Sequence, residues 1–195
     1  MKKKMLSLAL LVILFSLMAL GSTAYFTYEG RATNVITTGA VLMDLNEVQM
    51  EDGVETPYPG PITNVMPGRS VSKIPYVEAE EGTQPFYTRV KVDTTVTLSD
   101  GTTAGADDVA RYFLLNYDTE HWAQGADGWW YYLGQLEAGQ RAALFTQVDF
   151  APELPNAYQN CRVVIEIKAQ ATQVKNNPIP EGGYTAIVGW PEEAQ

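Results

Sequence analysis

The chain contains one histidine, His121, set in Glu120-His121-Trp122. A zinc peptidase site of the His-Glu-x-x-His kind needs two imidazoles one helical turn apart, so it cannot be built here. A serine hydrolase would have to use the same ring, yet no Gly-x-Ser-x-Gly elbow is present and nothing sets a serine beside it. His121 therefore reads as a loop residue. The 23 acidic residues are scattered, and no Asp-x-Asp-x-Asp-Gly order is available to wrap a calcium ion. A surface cation site without a sequence signature stays open, as does a carboxylate pair brought together in space for glycoside hydrolysis. Cys161 is the only cysteine, which excludes an intramolecular disulfide. It opens a β-like run and reads as a small buried hydrophobe rather than a reactive thiol. No catalytic residue, metal ligand or cofactor site is expected.

The densest aromatic cluster is Trp129-Trp130-Tyr131-Tyr132. On a strand, Trp129 and Tyr131 share one face and Trp130 and Tyr132 the other, so one pair belongs to the core. The other pair, taken as Trp130 and Tyr132, is a candidate platform for stacking sugars or for packing on another subunit, unless a loop covers it.

These residues need a scaffold, and its first segment is a targeting signal. Lys2, Lys3 and Lys4 precede an apolar run from Met5 to Leu20, which ends in small residues. That order is a secretory signal peptide, and Ser22 and Ala24 suit the pockets of a signal peptidase cutting between Ala24 and Tyr25. The run has 16 residues and includes Ser7 and Ser16, short of the roughly 20 apolar residues of a spanning helix. The membrane is met only during export, and the expected location is outside the cell, in the extracellular matrix or at the cell surface.

Removing residues 1–24 takes away three lysines and no acids, leaving 10 basic against 23 acidic side chains, a net charge of −13. Such an excess repels phosphate backbones and anionic lipid, so nucleic acid is not an expected partner. The remaining 171 residues suit one domain.

After the leader the periodicity is mostly two, in short segments rich in Val, Ile, Thr, Tyr and Phe, punctuated by Gly, Pro and Asp. The first expected strand is 34–45, with Val41, Met43 and Leu45 on one face and a bend at Gly39. Residues 51–61, carrying Pro57, Pro59 and Pro61, read as an exposed loop. Pro67-Gly68 is a turn, followed by β-rich arms over 70–79 and 86–98, either a hairpin or facing strands of two sheets. In the second arm Tyr87, Arg89, Lys91 and Asp93 alternate with Thr88, Val90, Val92 and Thr94. Residues 106–116 form the one convincing helix. Asp127-Gly128 predicts a tight hairpin between strands at 122–124 and 129–133. Further strands follow at 141–150 and 161–174, the latter with Val163, Ile165, Ile167, Ala169 and Ala171 on one face. The tail, 176–195, is poorly specified, although 184–190 can dock or add a strand. About eight strands and one short crossover helix imply an all-β, two-sheet antiparallel sandwich, preceded by the signal-peptide helix.

Gly21-Ser-Thr-Ala-Tyr-Phe-Thr, the following Ala32-Thr-Asn-Val-Ile-Thr-Thr-Gly39, and Phe86-Tyr-Thr-Arg-Val-Lys-Val92 resemble the TasA and camelysin family of Gram-positive bacteria. Val65-Met-Pro-Gly68, Gly128-Trp-Trp-Tyr-Tyr-Leu-Gly134 and Ile165-Glu-Ile-Lys-Ala-Gln-Ala-Thr-Gln173 extend the likeness over most of the chain after the leader. The resemblance implies a jelly-roll-like sandwich, cleavage by a signal peptidase of the SipW type, and a structural role in biofilm matrix fibres. It also implies that an N-terminal arm, Tyr25 to about Asn46, lends a strand to the next subunit. Tyr25, Phe26, Val35, Ile36, Val41, Met43 and Leu45 are its candidate assembly residues. A β-prone arm of this kind can complete a neighbour's sheet edge through main-chain hydrogen bonds. The expected partners are other copies of the chain and other matrix proteins, or, as the alternative, cell-wall glycan bound by an adhesion module. Relatives of camelysin are classed as metallopeptidases, but one histidine does not support carrying that activity over.

Overall fold

Alternating apolar residues fold this sequence into strands wherever one face can be buried. A computed structural model describes residues 34–37, 41–63, 65–175 and 177–191. All of them belong to one compact unit, Thr33–Gln195. The signal peptide, the cleavage point between Ala24 and Tyr25, and Phe26 lie outside the described residues.

Twelve strands are described. They are β1 (Asn34–Thr37), β2 (Met43–Glu51), β3 (Val54–Pro57), β4 (Ser70–Ser72), β5 (Ile74–Ala79), β6 (Phe86–Thr97), β7 (Phe113–Leu115), β8 (Trp122–Gln124), β9 (Trp130–Tyr132), β10 (Arg141–Ala143), β11 (Gln147–Phe150) and β12 (Arg162–Gln173). Helix α1 (Ala106–Tyr112) precedes β7. The strands order as β1-β12-β6-β9-β8, β10-β5-β2-β3 and β4-β11-β7. The two smaller sheets are stitched together by main-chain bonds from Lys73 to Thr146 and from Leu144 to Pro75. The fold is thus an all-β sandwich, with one core cluster drawing Val90 and Val163 from the large sheet, Leu45 and Val77 from the second and Val148 and Phe150 from the third.

The spine is the antiparallel pair β6 and β12, in register from Arg162↔Thr97 to Gln173↔Phe86. Val163, Ile165, Ile167, Ala169 and Ala171 point into the core, as their spacing predicts. Toward the end of β12 the outward Gln170 and Thr172 are buried as well. Alternation stops being visible there because both faces are covered.

Several elements differ from expectation, each for a local reason. The expected strand over 34–45 is two strands in two sheets: β1 pairs with β12, while β2 pairs with β5 and β3. The expected loop over 51–61 contains β3. Asp52 (φ 51°) and Gly53 (φ 81°) supply the left-handed pair that a two-residue hairpin requires, and Pro57 sits at the last paired position of an edge strand, where it costs little. The arms over 70–79 and 86–98 are strands of two sheets and not a hairpin, since β5 and β6 lie in different sheets. The helix stops at Tyr112 because Phe113 to Leu115 pair with β11, so tertiary pairing overrides helical spacing. Where β4 passes into β5, Lys73 is buried with its Nζ 2.8 Å from Glu47 and 4.0 Å above the Tyr58 ring, a neutralised site for a charge inside the sandwich.

Candidate functional site

The strand registers of the large sheet set three outward side chains in one row. Arg89 on β6 lies opposite Gln170 on β12 and opposite Tyr131 on β9. The hairpin turn Gly125 to Gly128 then brings Asp127 and Trp129 beside the same arginine. Arg89 Nε and Nη2 donate to Gln170 Oε1 at 2.9 and 2.6 Å. Its Nη1 donates to Tyr131 Oη at 3.0 Å and to Asp127 Oδ2 at 3.3 Å. Tyr131 Oη in turn donates to Asp127 Oδ2 at 2.7 Å. The guanidinium carbon lies 4.4 Å from the ring centre of Trp129 and 4.8 Å from that of Trp190, both inside the range of a cation–π attraction.

Trp190 arrives from the far end of the chain. Residues 177–191 cross the outer face of the sheet, with Tyr184 edge-on to Tyr87 at 5.9 Å and Trp190 edge-on to Tyr131 at 5.7 Å. Gln170 Nε2 donates to the Pro191 carbonyl at 3.3 Å, and Asn177 Nδ2 bonds Thr172 and Gln173. Burial acts first to raise the Asp127 carboxyl, but the hydrogen bonds from Tyr131 and the Trp129 amide, with the Arg89 charge, outweigh it and hold it below the usual carboxylate range. Burial and then the bond to Asp127 push the Tyr131 phenol up, so it remains a donor. The cluster is a charge-assisted clamp in which Arg89 and Tyr131 donate to other side chains of the cluster and Gln170 donates to the Pro191 main chain.

The second site is the edge of the same sheet. β1 runs parallel to β12, with Asn34↔Lys168, Val35↔Ala169, Ile36↔Gln170 and Thr37↔Ala171. Farther along that edge, Ile62 and Val163 exchange main-chain bonds of 3.1 and 2.9 Å. Gln170 thus stands in both sites, with its main chain in the row that faces β1 and its side chain in the Arg89 clamp.

The remaining candidates fall as follows. Val35 and Ile36 lie in β1. Val41, Met43 and Leu45 do not form a separable arm: they are 4, 4 and 5% exposed, within the core of their own chain. In the aromatic cluster Trp129 and Tyr131 are buried and Trp130 and Tyr132 half-buried, so packing occupies both faces. Trp130 and Tyr132 pack against the core, Trp130 stacked on Tyr117 at 4.1 Å and Tyr132 tilted against Trp122 at 5.3 Å, while Trp129 and Tyr131 face outward and are covered by the tail. The register of the long strands causes this: Trp130 lies opposite Val90, a core residue. His121 pairs through Nδ1 with Asp118 at 2.8 Å in an exposed turn. Cys161 is fully buried, and burial pushes its thiol up. Among the described residues no group of three or more His, Cys, Asp or Glu side chains is placed to hold a metal ion, and no helix is long and apolar enough to cross a membrane.

Arg89, Asp127, Gln170 and Trp190 went unmarked in the sequence. The signals available were the outward phase of Arg89 and the Asp-Gly turn; nothing local ties either to a tryptophan 101 positions downstream of Arg89. No protein-family model, no curated protein and no solved structure matches the chain.

Proposed function

We propose that the chain is a secreted structural protein of an extracellular or biofilm matrix, assembling into fibres when the N-terminal strand of one copy pairs with β12 of the next. The observation that carries this reading is β1, the one parallel strand among the described residues: four residues at the edge of the large sheet, paired only with β12. Edge pairing of this kind is satisfied equally well by an identical strand from a neighbour, at little cost to either core. The leader-like residues 1–24, the acidic charge and the resemblance to TasA and camelysin agree with an exported polymer. The exchanged part is narrower than the arm 25–46, because Met43 to Val48 are paired with β5 of their own chain.

The test is Ile36→Pro in a chain starting at Tyr25, which removes a main-chain donor from a strand of four and leaves every described core side chain in place. Circular dichroism and the unfolding transition are expected to stay close to the parent. Filaments seen by electron microscopy should become sparse or vanish. Abundant filaments from the variant would rule out strand donation.

A further inference from the structure

We propose that the outer face of the large sheet is a docking groove for the C-terminal segment, residues 177–191, filled by the chain's own segment in a single copy and by the segment of a second copy when two meet. The segment is built as a unit in its own right. Its internal main-chain bonds are all local, from Gly183 to Pro180, Ala186 to Gly183 and Ile187 to Tyr184, and the Trp190 indole donates to the Ile187 carbonyl at 2.7 Å. It contributes no strand, so no ladder joins it to the sheet beneath. What holds it down is a short set of contacts: Ile187, which is buried, Tyr184 on Tyr87, Asn177 on the end of β12, the Pro191 carbonyl accepting from Gln170, and Trp190 at Arg89 and Tyr131. Between these anchors the segment is largely exposed, with Val188 and Ile179 open to solvent.

A part that shares no strand ladder with the sheet leaves without breaking it, and it re-docks with the same contacts on any copy presenting the same groove. The groove is specific for what it takes. Gln170, Asp127 and Tyr131 fix the guanidinium of Arg89, and Trp129 lies on one ring contact, leaving an indole as the matching group for the other. The occupant is therefore a tryptophan-bearing turn such as Ile187-Val-Gly-Trp-Pro191, in which Gly189 takes φ 82°. This contact is independent of β1 and stands whether or not the N-terminal strand is exchanged.

The experiment uses the full-length chain and a fluorescent peptide of residues 177–191, followed by anisotropy. Trp190→Ala loosens the chain's own segment, and the peptide should bind this variant saturably at one site. Binding to the parent chain should be at least tenfold weaker, because its own segment competes. Binding to Arg89→Ala/Trp190→Ala should be lost, and adding Arg89→Lys instead should restore only part of it, since an ammonium keeps the charge but not the planar fork. Circular dichroism reports that each variant is folded. No binding to folded Trp190→Ala, or equal binding to the parent and all variants, would overturn the proposal.

Discussion

At the scale of single residues, the Arg89 clamp shows how a sheet turns register into chemistry. Opposite positions on β12, β6 and β9 bring an amide, a guanidinium and a phenol into one row, and the turn before β9 adds a carboxylate. Asp127 is the titrating member. Its carboxyl lies below the ordinary value in the fold, so ionised Asp127 favours the folded state. That contribution is complete above the unfolded value of about 4 and is lost as pH falls through the lower folded value. The carboxylate is 45% exposed, which keeps the effect modest. The difference in urea midpoint between the parent and Asp127→Asn should hold constant from pH 7 to pH 5 and shrink by pH 3; a difference undiminished at pH 3 would show that the charge on Asp127 is not what the clamp uses. The alternation in residues 87–93 foretold which way Arg89 faces. Its partners were not legible, because they come from three other stretches of chain and Trp190 is 59 positions beyond the nearest other ring at the clamp, that of Tyr131.

At the scale of elements, β2 decides how much of the N-terminal region belongs to the fold. Val41, Met43 and Leu45 are each buried, and each contributes about 1.5 to 3 kcal/mol by removal from water. Together with the ladder from Met43↔Ala79 to Val48↔Ile74, that approaches the whole net stability of an ordinary domain, about 5 to 15 kcal/mol. A chain beginning at Asn46 should therefore fail to fold, giving no cooperative transition in urea, whereas one beginning at Ala40 should retain one; cooperative unfolding of the shorter chain would show that β2 is dispensable. Long segments that mostly alternate, such as β6 and β12, were plain in the sequence because each buries one face along most of its length. The region over 34–51 was not, since apolar residues at the same spacing serve two different sheets. The hairpin at Asp52-Gly53 was hidden by nearby prolines, although the same dipeptide at Asp127-Gly128 marked the position of the turn before β9, where only the glycine takes a positive φ. Binary pattern fixes which side of a strand is apolar; it does not say which sheet the strand joins.

At the scale of the whole molecule, two contacts proposed between copies lie on one sheet and converge on Gln170, while the chain as a whole is strongly acidic. The net charge, −10 for the whole sequence with a pI near 4.5 and −13 without residues 1–24, makes neighbouring copies repel before any edge or groove is engaged. Salt shortens the reach of that repulsion from about 30 Å at 0.01 M to about 8 Å at 0.15 M. Lowering pH from 7 toward 5 reduces it by approaching the pI, and does so above the range in which Asp127 takes up its proton, so the clamp is preserved. Filament growth followed by light scattering should accordingly be faster at 0.15 M than at 0.01 M salt at pH 7, and faster at pH 5 than at pH 7 in low salt, with the two effects less than additive because both relieve the same repulsion. Growth indifferent to salt and pH would mean that association is not limited by charge. Main-chain pairing at the β1 edge is itself nearly insensitive to salt. A salt-dependent rate with a salt-independent fibre, once formed, would therefore separate the charge that delays encounter from the hydrogen bonds that hold neighbours together.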